Sequence, residues 1–106
     1  MKTYKDYFCI EDALKEHQNR KKKFPDIIIF IEIDGHYATF AEDVKKCKQI
    51  LGDDITVSFT HEALKGVSCV LVGMYDAYIV KLVKAGYQIA VCSKQAEQQE
   101  LTTQRK

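Results

Sequence analysis

Apolar residues fall into short blocks along this chain, and the spacing inside the blocks differs. Ile27, Ile28, Ile29, Phe30, Ile31 and Ile33 form a run rich in β-branched side chains that Asp34-Gly35 brings to a halt. A run of this length, bounded by turn residues, predicts a buried strand over 27–33 and is too brief to cross a bilayer. Beyond the break, Tyr37, Phe40, Ala41, Val44, Cys47 and Leu51 recur at intervals of three, four and one, with Gly52 behind them. That spacing predicts a helix from about Tyr37 to Leu51 with an inward apolar stripe that includes Phe40 and Tyr37. Asp34-Gly35 then reads as a strand-to-helix break.

The remaining blocks complete the order of elements. Ile10, Ala13, Leu14 and His17 share one side of a helix over 10–23, and Pro25 ends it by forcing the residue before it out of helical geometry. Two β-rich runs, 55–60 and 68–73, are joined by a short segment ending in Gly66. Residues 76–85 predict a third helix with Tyr78, Ile79, Leu82 and Val83 on its apolar face and Gly86 as its stop. Residues 87–92 predict a last buried strand, and from Ser93 the chain turns Gln-, Glu- and Lys-rich, as a frayed end or loose terminal helix would. Strands alternating with helices define an α/β domain: a mixed β-sheet of about four or five strands with about three packed helices. The first and last strands are apolar throughout, which predicts central positions covered on both faces. The 106 residues suffice for one core and not for two domains.

Charge narrows the choice of partners only slightly. The net charge is +1, whereas nucleic-acid binders usually carry a basic footprint. The cations are locally gathered, in Arg20-Lys21-Lys22-Lys23 and in Lys45-Lys46 with Lys48. Such clusters form either a solvated basic helix end, favoured by the helix dipole, or a patch that contacts phosphates. The N-terminal residues mix charges and lack the apolar core of a signal peptide, so the expectation is a cytoplasmic protein without a membrane partner. Cys9, Cys47, Cys69 and Cys92 are widely separated and form no C-x-x-C pair, so they read as buried thiols of a reducing compartment rather than zinc ligands.

Catalytic patterns are incomplete. Asp26, Glu32 and Asp34 flank or occupy the first strand, as Mg²⁺-holding carboxylates of Pro-Asp…(Asp/Glu)-x-Lys nucleases do, but the position of the assisting lysine is Asp34 itself. These carboxylates read instead as a solvent-facing strand end, with Asp34 near a helix N-terminus. His17, His36 and His61 are scattered, and neither a phosphate-binding G-x-x-x-x-G-K-[ST] loop nor a G-x-S-x-G elbow occurs. The expectation is a protein that is not an enzyme and carries no cofactor.

Several strings, in order, resemble the N-terminal mismatch-recognition domain of the MutS family. Pro25-Asp26 precedes the apolar strand, Asp34-Gly35-His36-Tyr37-Ala38 stands where that family has Gly-Asp-Phe-Tyr-Glu, and Phe40-Ala41-Glu42-Asp43 carries the acidic pair that follows. Tyr78 through Gly86, then Ile89-Ala90-Val91-Cys92 and Gln95, match the family's helix–Gly–strand unit. The resemblance runs from about residue 18 to 95 and implies a solitary recognition-type domain, residues 1–95, with a polar tail over 96–106.

In that family a Phe-x-Glu pair reads the mispair: the ring wedges into the base stack and the carboxyl hydrogen-bonds the displaced base. The matching positions here are His36 and Ala38, so a stacking group remains and the hydrogen-bonding group does not. Phe40-Ala41-Glu42 is a literal Phe-x-Glu whose ring belongs to the apolar stripe. The resemblance and the basic run together name His36, Tyr37, Arg20, Lys21, Lys22 and Lys23 as candidate DNA contacts. The implied partner is double-stranded DNA, bound weakly and without sequence preference. The alternative is a protein–protein or oligomerisation module, binding itself or another protein, that keeps the fold without DNA.

Overall fold

The computed structural model describes residues 9–93. Among these, helix α1 (Ile10–Lys23) leads into strand β1 (Ile28–Ile33), followed by β2 (His36–Phe40), α2 (Glu42–Leu51), β3 (Val57–Ser58), a 3₁₀ turn (Glu62–Leu64), β4 (Cys69–Gly73), α3 (Asp76–Lys84) and β5 (Ile89–Cys92). The five strands form one mixed sheet in the order β3-β4-β2-β1-β5. β5 runs parallel to β1, and the other neighbours are antiparallel.

The isoleucine-rich strand owes its unbroken apolar run to layers on both sides of the sheet. Ile29 and Ile31 face α1 and the 3₁₀ turn with Ala13, Ala38, Phe40 and Leu64, while Ile28 and Phe30 face α2 and α3 with Cys47, Leu51, Val72 and Leu82. A strand covered on both faces loses its polar alternation. β5 departs from the expectation of a central strand: it is an edge of the described sheet, and Val91 is exposed. Val83 likewise points outward, so the inner face of α3 rests on Leu82 with Tyr78 and Ile79. The β-rich run at 55–60 contracts to the two-residue β3. The tail expected from Ser93 onward lies outside the described residues.

The largest correction concerns the residues after Asp34-Gly35. They do not open a helix. Asp34 (φ 40°) and Gly35 (φ 80°) both take positive φ, the geometry of a two-residue type I′ hairpin turn, and β2 pairs back onto β1 through Ile33–His36, Glu32–Tyr37 and Ile31–Ala38. Helix α2 starts only at Glu42. Because β2 is covered on both faces, Tyr37, Phe40 and Ala41 mimic a helical spacing that continues into the true helix. Phe40 is fully buried, as expected, though from a strand and not from a helical stripe.

Candidate nucleic-acid interface

Beyond Ala38 the pairing of β1 with β2 stops. Phe40 ends the strand, and Ala41 (φ 58°, ψ −127°) swings the chain into α2. Backbone groups of β1 that would otherwise face β2 are left needing partners, since a buried unpaired N–H or C=O costs about as much as a lost hydrogen bond. Side chains supply them. Ile29 N–H donates to Asp43 Oδ2 (3.1 Å) and Thr39 Oγ1 donates to the Ile29 carbonyl (2.8 Å), while just before the strand Lys21 Nζ donates to the Ile27 carbonyl (2.6 Å).

Asp43 is the hub of this seam. It is fully buried in the first turn of α2, and it also accepts from His17 Nε2 (2.9 Å) and Lys21 Nζ (3.0 Å) of α1. Burial pushes its carboxyl pKa up, but the hydrogen bonds from His17, Ile29 and Lys21, with the Lys21 charge, outweigh burial and hold it below the ordinary value of 3.8. The His17 ring in turn meets Phe40 edge-on at 5.2 Å.

This seam changes the basic run. Lys21 turns inward with only 20% of its side chain exposed, and Arg20 Nε lies 2.6 Å from Glu16 Oε2. Lys22 and Lys23 remain exposed at the end of α1. Of the second cluster, Lys45 pairs with Glu42, Lys46 lies over the Tyr87 ring, and Lys48 reaches Ser58.

The hairpin tip lies at the other end of β1. His36 is exposed, and its Nδ1 lies 3.2 Å from the Asp34 carbonyl. Tyr37 points to the opposite face of the sheet, half-buried against Phe30 with ring centroids 5.5 Å apart. Burial raises its phenol pKa, and the charges of Glu32 and Asp76 add to the rise. Ala38, two residues past His36, is fully buried between Ile31 and Leu71.

The six candidate contacts therefore do not form one patch. His36 marks the tip, Tyr37 packs beneath the sheet, and Arg20 to Lys23 end α1 beside the start of β1, about 17 Å away along the strand at 3.3 Å per residue. Asp26 and Asp34 are likewise divided between the two ends of β1, with Asp34 in a hairpin turn and not at a helix N-terminus. Among the described residues no group of three or more His, Cys, Asp or Glu is arranged to hold a metal ion. No described helix is long and apolar enough to cross a membrane.

Comparison with known sequences gives this arrangement its family. Residues 12–106 match the family model described as MutS domain I, and the chain belongs to that family. Among its relatives are the DNA mismatch repair protein MutS of Flavobacterium johnsoniae, 33% identical over 85 residues, covering 76% of this chain and 9% of the relative, and that of Methanococcoides burtonii, 30% identical over 86 residues, 77% of this chain and 10% of the relative. MutS of Dehalococcoides mccartyi is 30% identical over 84 residues, 76% of this chain and 9% of the relative. The chain thus spans about a tenth of the length of these relatives. The family match runs through residue 106 and so includes the residues assigned above to a polar tail.

Proposed function

We propose that this chain is a non-catalytic DNA-binding module of the mismatch-repair type, one that holds duplex DNA weakly and has lost the reading of mispairs. The observation that carries the reading is the match to MutS domain I over residues 12–106. The side chains agree with a reduced reader. His36 offers an exposed ring at the tip, whereas position 38 holds a methyl group sealed in the core, where no substituent could reach a base. Lys22 and Lys23 supply the sequence-independent attraction to phosphates. The buried free thiols suit a reducing, cytoplasmic setting.

Titration of labelled homoduplex, single-mismatch duplex and single strand at two salt concentrations tests this. Equal affinities for the two duplexes, falling steeply with salt and weakened by Lys22→Glu with Lys23→Glu, are the expected outcome. A heteroduplex preference abolished by His36→Ala would overturn the loss of reading, and no binding to any of the three would overturn DNA binding itself.

A second reading, a protein-interaction or self-association module, draws on the surface of α3. Val80 and Val83 stand exposed there, and Glu32, Asp34 and Asp76 make the hairpin end acidic. If DNA is not bound, the molar mass in solution decides between self-association and a foreign partner.

A further inference from the structure

The face of β3 and β4 that looks toward α2 changes character along its length. Val72 packs there with Cys47 and Leu51 of α2. Two residues back lies Val70, paired with Ser58, and a hydrogen bond from Phe59 N–H to the Cys69 carbonyl (2.9 Å) carries the pairing on toward Thr60 and Ser68. With a period of two, Ser58, Thr60, Ser68 and Val70 share that face. A layer built only for packing would be apolar here, yet three of the four side chains are hydroxyls. Together with Val44 and Lys48 of α2 they border a cleft of about 300 Å³. Lys48 Nζ donates to the Ser58 hydroxyl (3.3 Å), and among the described residues the hydroxyls of Thr60 and Ser68 make no hydrogen bond within the protein. His61 also borders the cleft, and its Nδ1 accepts the Ala63 N–H (3.0 Å). The neutral ring therefore keeps its proton on Nε2 and donates from there.

We propose that this cleft between α2 and the β3–β4 end of the sheet binds a small phosphate monoester. Its lining carries one lysine, Lys48, and no carboxylate. Each polar side chain on it is a donor: an ammonium, three hydroxyls and an imidazole N–H. Donors set around a cation with no acid among them favour an anion rich in acceptor oxygens, and a phosphate monoester presents three. The apolar part of the lining, Val44, Leu64 and Val67, gives a small organic body something to pack on. The volume lies at the low end of small-molecule sites, which suits a ligand of one ring and one phosphate. None of the six candidate DNA contacts borders the cleft, so the site stands whether or not the chain binds DNA.

The test titrates the full chain with phenyl phosphate, inorganic phosphate and benzoate at constant ionic strength, following backbone amide shifts by NMR. Phenyl phosphate is expected to move the amides around Lys48, Ser58, Thr60 and Ser68, with a Kd on the order of 1 mM or tighter. Inorganic phosphate is expected to move the same amides with lower affinity, because it leaves the apolar lining bare. Lys48→Met is expected to weaken phenyl phosphate about tenfold or more, the worth of one charge-assisted hydrogen bond, and Thr60→Val about threefold. Both side chains are exposed, so the variants keep the fold and their remaining amide signals show it. Lys22→Glu with Lys23→Glu is expected to bind like wild type. Benzoate binding as tightly as phenyl phosphate would overturn the choice of phosphate. Cleft amides that stay still in wild type, or binding that survives Lys48→Met and is lost with Lys22→Glu and Lys23→Glu, would overturn the site.

Discussion

His17 and Asp43, 26 residues apart in sequence, meet through a 2.9 Å hydrogen bond with 3% and 0% of their side chains exposed. The bond ties α1 to the first turn of α2, and the same carboxylate oxygen also takes the Ile29 amide. One side chain thus joins a helix, a strand and a second helix where the sheet has lost its own pairing.

Asp43→Asn is expected to destabilise the protein by about 3 kcal/mol, because it leaves Lys21 and the seam without their charge partner. The depressed carboxyl pKa also fixes a sign for acid. A carboxylate held below its unfolded value stabilises the fold above that value, and the contribution is lost as pH falls through the folded pKa. Stability from Asp43 is therefore intact at neutral pH and is expected to drain away below about pH 4. Urea unfolding between pH 7 and pH 3 checks both points: Asp43→Asn should start lower and lose less than wild type on the acid limb.

Ala38→Glu puts back the carboxyl of the MutS reading pair, and is expected to fail. The position lies wholly inside the core layer beneath α1, where an unpartnered carboxyl costs several kcal/mol. A thermal melt should show marked destabilisation, and a heteroduplex preference should not appear.

The thiols should separate sharply by reactivity. Burial pushes the Cys47 thiol up to about 12, with the Asp43 charge adding to it, and burial alone does the same at Cys69. Cys9 is exposed. At pH 8 a thiol-disulfide reagent is expected to modify Cys9 quickly and to reach Cys47 and Cys69 only when denaturant opens the core, a difference that mass spectrometry of the labelled peptides reads directly.

Ala41 holds a positive φ that a Cβ disfavours. Its side chain is exposed, so removing it forfeits little packing. Ala41→Gly is expected to relieve strain and raise stability by about 1 kcal/mol, the low end of the cost of such a conformation; chemical unfolding of the variant decides it.

Much of this fold was legible in the chain because apolar spacing and stop signals report it locally. The first helix falls at the predicted residues, and β1, β4 and α3 fall within a residue or so. The hairpin was missed, although Asp-Gly between apolar runs is its usual signal, because the apolar positions at 37, 40, 41 and 44 imitated a helix. The place of β5 was not legible: an edge strand and a central strand can share the same apolar letters, and only the order of pairing separates them. At the candidate site, the Asp34-Gly35 break that precedes His36 was visible in the sequence, and His36 is exposed there. The seam was not, because Lys21 looks like its basic neighbours and Asp43 like a solvated member of an acidic pair. What distinguishes them is where β2 parts from β1, a long-range event with no local spelling.

The seam at Ile27 and Ile29 has a consequence for tracing distant kin. Its donors and acceptor, Lys21, Thr39 and Asp43, come from three separate elements, and each answers a backbone group that exists whatever the chain binds. A sequence may exchange its tip residues and change partner without disturbing them, but it cannot drop the acid without rebuilding the strand. That triplet is therefore expected to follow the architecture of the strand and not the identity of the ligand.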